Sequence, residues 1–128
     1  MNLSIQEFSQ TYSLEESWCH VVNYSLEIGV LIAEISPVPT TKERFYIYFN
    51  QALYFSGSLK WKGVAFKAAP NAQCKELIKL ISKSDNMEYL QLMIDEVGYK
   101  LLEVDSSLPQ VQILCANISI SNNNIFQK

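Results

Sequence analysis

His20 is the single histidine among 128 residues, so chemistry that needs two imidazoles is excluded. Its neighbour makes Cys19-His20 the one arrangement in the sequence that suggests nucleophilic catalysis. A thiol and its general base must lie within hydrogen-bond reach. In the strand predicted here by alternation, adjacent side chains project to opposite faces, so the two groups are expected to be separated and His20 to be dispensable for chemistry. Cys74 and Cys115 could approach His20 only through the tertiary fold. Three isolated cysteines and one histidine lack the paired spacing by which a turn presents two ligands to zinc. No metal and no cofactor is expected.

The acidic pairs Glu15-Glu16 and Asp95-Glu96 fall in predicted caps and turns, where carboxylates favour solvent and helix N-termini. They would act as a glycosidase-like pair only if held at a set separation in a cleft, and nothing in the pattern indicates one. The glycines at 29, 57, 63 and 98 are scattered singly, so no loop forms a phosphate cradle. What remains is charge. Residues 42–83 carry +6, while 1–41 and 84–127 carry −5 each. Within the basic segment Lys75, Lys79 and Lys83 recur at i, i+4 spacing on one helix face and are the candidate binding residues. Tyr46, Tyr48, Tyr54 and Trp61 share the segment, which would suit a basic, base-stacking surface. A pI of about 5.1 argues against nucleic acid and for a protein partner with an acidic patch.

These residues must be positioned by short elements. Ser4 with Glu7, and Ser13 with Glu16, match the capping-box spacing and predict a helical lead over 4–16, with Ile5, Phe8 and Tyr12 turned to the core. From Trp18 the period becomes two: Trp18, His20, Val22 and Tyr24 alternate with Cys19, Val21, Asn23 and Ser25. Residues 26–35 continue extended, and Gly29 marks a bulge or a reversal. A proline-bearing loop over 36–41 separates them from a strand over 44–49. A short run at 53–55 and a longer extended one over 59–67 follow, with Trp61 inward and Lys60 and Lys62 in water.

Cys74, Leu77, Ile78 and Ile81 form an apolar stripe that predicts the main helix, about 71–83. Strands are expected over 87–94, 99–104 and 111–120, with a turn at 95–98 and a frayed tail over 121–128. No repeat or heptad marks an oligomerisation element. Together these predict one α+β domain over 1–128, an antiparallel sheet of about seven or eight strands, curled or forming a partly open barrel, with one main helix.

Composition narrows the function. Apolar residues make up 48% of the chain and charged ones 18%, below the roughly 25% usual for soluble domains, which leaves apolar surface for a partner. The longest apolar stretch is far short of the ~20 residues that cross a bilayer, and no Lys or Arg precedes Lys42, as a secretory signal would require. A cytoplasmic protein with reduced, structural cysteines and no membrane partner is expected.

A layout can be matched as well. The order of an acidic lead, Trp18-Cys19-His20 opening a strand, a basic strand, Trp61-Lys62-Gly63-Val64, a helix, and closing strands ending Gln112-Ile113-Leu114-Cys115-Ala116-Asn117-Ile118 resembles small bacterial β-rich proteins. Some of these are thought to be immunity proteins of toxin systems. Those proteins often place an acid directly after the histidine, where this chain has Val21. The resemblance implies a binding role without catalytic residues. The leading expectation is a non-enzymatic protein that binds another macromolecule, as an immunity or accessory factor. A small-molecule binder with an apolar pocket inside a barrel comes second, and an enzyme with an unassembled site third.

Overall fold

Alternating apolar positions build two antiparallel sheets stacked face to face, in a computed structural model that describes residues 2–25, 29–104 and 111–122. The strands are β1 (Asn2–Leu3), β2 (Trp18–Ser25), β3 (Val30–Ser36), β4 (Phe45–Asn50), β5 (Tyr54–Ser56), β6 (Lys60–Lys62), β7 (Phe66–Ala68), β8 (Lys100–Val104), β9 (Gln112–Cys115) and β10 (Asn117–Ser121). Six form one sheet in the order β1-β10-β4-β3-β2-β6, and four form the other in the order β5-β9-β8-β7.

Leu31, Ala33 and Ile35 of β3 and Phe45, Ile47 and Phe49 of β4 turn toward Val104, Ile113 and Cys115 of the smaller sheet to make the main core. Two aromatic contacts bridge the sheets, Phe49 edge-on to Phe66 with centroids 5.6 Å apart and Phe55 against Trp61 at 6.2 Å. Trp61 is buried between the exposed Lys60 and Lys62, as its alternation predicts. A smaller cluster of Ile32, Tyr46 and Tyr48 lies on the other face of the six-stranded sheet.

The expected single curled sheet or barrel of seven or eight strands is therefore replaced by two open sheets, with ten strands among the described residues. The physical reason is a pair of breaks within runs that alternation presents as continuous. Residues 59–67 divide at Gly63, whose φ of 113° is one that side-chain-bearing residues rarely adopt. Its N–H donates to the Ser17 carbonyl at 2.7 Å, and its own carbonyl accepts from Trp61 Nε1 at 3.0 Å. Residues 111–120 divide at Ala116, whose N–H donates to the Asn50 carbonyl at 3.0 Å. Each half then pairs in a different sheet.

α1 (Ile5–Ser9) covers only the first part of the helical lead expected over 4–16 and is opened by the expected box: Glu7 N–H donates to Ser4 Oγ at 3.0 Å, and Ser4 N–H to Glu7 Oε1 at 3.1 Å. Phe8, one turn along, packs edge-on to Phe45. β2 and β3 are antiparallel neighbours, so the glycine at 29, with φ 64°, belongs to a reversal. Residues 26–28 lie outside the described residues. A register shift between Val21 and Asn23 places Tyr24 on the face of Cys19 and Val21, a phase change the simple alternation did not include.

The outer face of the four-stranded sheet carries the helices. α2 (Asn71–Ser82) sets Cys74 and Ile78 against Leu101 and Leu114, and its stripe surfaces at Ile81, which is exposed. Residues 87–94, expected as a strand, instead begin α3 (Met87–Leu92), which runs into a π-turn over Met93–Val97. Met, Glu, Leu and Gln are helix formers. Asn86 accepts from the N–H groups of Glu88 and Tyr89 at 2.9 and 3.1 Å, and Leu90, Met93 and Ile94 share the core-facing side. Gly98, φ 87°, closes the π-turn. Ser121 ends β10, paired with Tyr46 and Asn2. The rest of the expected tail, 123–128, lies outside the described residues.

Candidate functional site

The bulged strand β2 decides what His20 meets. Cys19 turns into the core, 1% exposed, with its Sγ toward the Gly63 carbonyl. His20 projects from the opposite face, where cross-strand pairing aligns it between Lys60 and Glu34, with Tyr46 next beyond Glu34. His20 Nε2 lies 3.5 Å from Glu34 Oε1. A carboxylate can orient an imidazole for proton transfer, but no thiol shares this face. Cys115 belongs to the inter-sheet core, and Cys74 donates to the Tyr99 carbonyl beneath α2. Lys60 Nζ lies 5.5 Å from the Trp18 ring centroid, and Lys62 pairs with Glu16 at 3.0 Å. Among the described residues no three histidine, cysteine or acidic side chains gather where a metal could bind.

The thiols are protonated for a physical reason. Burial pushes Cys19 up to about 12 and Cys115 to about 12 against the opposing pull of the Lys100 ammonium. It also raises Cys74, although a backbone hydrogen bond acts the other way. The thiolate is the nucleophile, so these environments favour packing over reactivity.

Tyr46, Tyr48 and Trp61, three of the four aromatics that would have offered a base-stacking platform, are buried. Tyr54 is half-buried and packs against the core beneath the helices.

The three lysines of α2 have distinct settings. Lys75 donates to Gln91 Oε1 of α3, and Lys79 pairs with Asp85 at 3.5 Å. Lys83 is the left-handed C-cap, φ 57°, which takes it off the regular helical row. Lys75 and Lys79 thus tie α2 to α3 and the segment leading into it. On the other flank of α2 a groove of about 410 Å³ runs between Ala72, Leu77 and Leu80 and the sheet residues Leu101 and Gln112, with Glu76 on its rim.

Exposed apolar side chains concentrate in this layer. Leu80 is 71% exposed, Met87 66% and Leu92 48%. With Ile81, Tyr89 and Val97 they make six of the twelve large apolar residues exposed among those described. The sequence held a signal for Leu80, an apolar residue off the Cys74-Ile78 stripe. Met87 and Leu92 were hidden by reading their segment as a strand.

Fold and surface together define an antiparallel two-sheet α+β domain with a helical layer on one side, and no helix among the described residues is long and apolar enough to cross a membrane. Comparison with protein-family models, with curated proteins and with solved structures finds no match.

Proposed function

We propose that this domain is a non-enzymatic binding protein, an immunity or accessory factor, that engages another protein through its helical layer. The carrying observation is the concentration of exposed Leu80, Met87 and Leu92 in the helical layer. Exposed apolar groups grouped in this way mark interaction surfaces more often than single scattered ones do. The partner's matching chemistry is an apolar segment flanked by acids. The apolar part would cover Leu80 and Met87, while the acids would meet the cations of α2. Lys83 has no carboxylate within ion-pair distance among the described residues, and Lys79 has only the highly exposed Asp85. The three free, buried cysteines suit a reducing compartment, which supports action in the cytoplasm.

The test is affinity capture from the native host with three baits: the wild type, Leu80→Glu/Met87→Glu, and Lys60→Glu/Lys62→Glu on the six-stranded sheet as a control. A partner held by the wild type and the control but lost by the Leu80/Met87 variant is expected. Capture that is indifferent to the Leu80 and Met87 changes and lost by the control would move the interface to the six-stranded sheet and overturn the reading.

A further inference from the structure

Where the chain passes from β9 to β10, a cleft of about 240 Å³ opens between the two sheets. Ile5, Phe66, Leu102 and Ile118 form its apolar wall, and Lys100, Cys115 and Asn117 also line it. We propose that this cleft binds a small carboxylate with an apolar body. The proposal is independent of the helical layer and of any protein partner.

Lys100 carries the argument. It is in phase with Leu102 and Val104 along β8 and directly opposite Cys115 across the β8–β9 pair, so a cation occupies the face otherwise committed to the core. The three ion pairs among the described residues are His20 with Glu34, Lys62 with Glu16 and Lys79 with Asp85, and none involves Lys100. Attraction between opposite charges strengthens beside low-dielectric walls, so an anion reaching Lys100 from the apolar side gains more than one on an open surface.

Asn117 gives a second polar group at the corner. Its Oδ1 accepts from Asn50 Nδ2 at 2.7 Å, which leaves its own amide donors for a ligand. An uncharged hydrocarbon would satisfy the wall and ignore both groups, and a fully hydrated anion would satisfy Lys100 and ignore the wall. A carboxylate on an apolar body satisfies both. The volume lies below the ~300–1,000 Å³ of sites that take drug-sized ligands, which sets the ligand as a small one, on the scale of a short-chain fatty acid.

The test titrates methyl-labelled protein with hexanoate, with hexylamine as the same body carrying the opposite charge, and with acetate as the same charge without the body. Hexanoate should shift the Ile5, Leu102 and Ile118 methyl signals saturably, with a Kd of about 1 mM or tighter. Hexylamine and acetate should not saturate. Lys100→Gln, at an exposed position, should keep the melting temperature and weaken hexanoate by about tenfold or more, and Lys100→Arg should restore most of the affinity. Lack of a saturable shift, equal binding of hexylamine, or hexanoate affinity unchanged in Lys100→Gln would each overturn the site. The last result would show Lys100 only carrying its ammonium past the apolar wall into water.

Discussion

Cys19 and Cys115 are both about 1% exposed, and the core that hides them holds their protons to about 12 against an ordinary value of 9.0. The unfolded chain releases those protons near 9, so above that pH it binds fewer than the native state does. The associated stability is complete below pH 9 and is lost as pH rises toward 12. Each thiol adds a downward slope of up to about 1.4 kcal/mol per pH unit in that window. Urea titrations at about pH 8 and pH 10 should show the parent losing more stability than Cys19→Ala/Cys115→Ala, and equal losses would mean that the thiols titrate as exposed groups. Trp61 tests the same core at another point. Trp61→Ala removes the ring that meets Phe55 and the donor to the Gly63 carbonyl, and should cost roughly 3–5 kcal/mol. A cost under about 1 kcal/mol would place the side chain outside the core. Residue-scale facing was legible before the structure, because Cys19, His20, Trp61 and their neighbours alternate with period two. Which residue answers His20 was not, since Glu34 reaches it only through the pairing of β2 with β3.

At the scale of elements, the departures from expectation occur where backbone geometry overrides side-chain pattern. Gly63 and Ala116 each sit inside an extended run, and each ends one strand and frees the next to join the other sheet. Gly63→Ala should therefore destabilise the domain by about 1–3 kcal/mol, the usual cost of holding a side-chain-bearing residue in a sparsely populated region. The measurement is denaturant midpoint, and a change within about 0.5 kcal/mol would show that the switch tolerates an ordinary conformation. Glycine in a strand is a recognisable warning, so Gly63 was half-legible. Ala116 carries no such mark. The segment 87–94 departs from the expected strand for a different reason: its apolar residues fit a short strand as well as a helix, and the Asn86 cap that decides for the helix is one polar side chain upstream.

For the whole molecule, charge and apolar exposure both bear on the helical layer. Reversing Lys75, Lys79 and Lys83 to Glu should slow association with an acidic-flanked partner severalfold at low salt, because exposed charges chiefly steer encounter and are screened beyond about 8 Å at physiological ionic strength. Lys79 pairs with an exposed Asp85, and exposed pairs contribute about 0–1 kcal/mol, so the melting temperature should fall only slightly. An association rate independent of these lysines at low salt would remove them from the interface. By itself the sequence determined an antiparallel, β-rich α+β domain, the helix beginning at Asn71, the capping box at Ser4, and the facing of Cys19, His20 and Trp61. Those properties depend on neighbours within a few positions, through side-chain alternation and local hydrogen bonds. The tertiary structure alone decided that the strands divide into two sheets, that α3 exposes Met87 and Leu92, and that Lys100 meets the wall built by Ile5, Phe66 and Ile118. The backbone groups that pair strands are chemically alike at every residue. The choice of partner strand, and so of what is left uncovered, is made by long-range packing that no local pattern records.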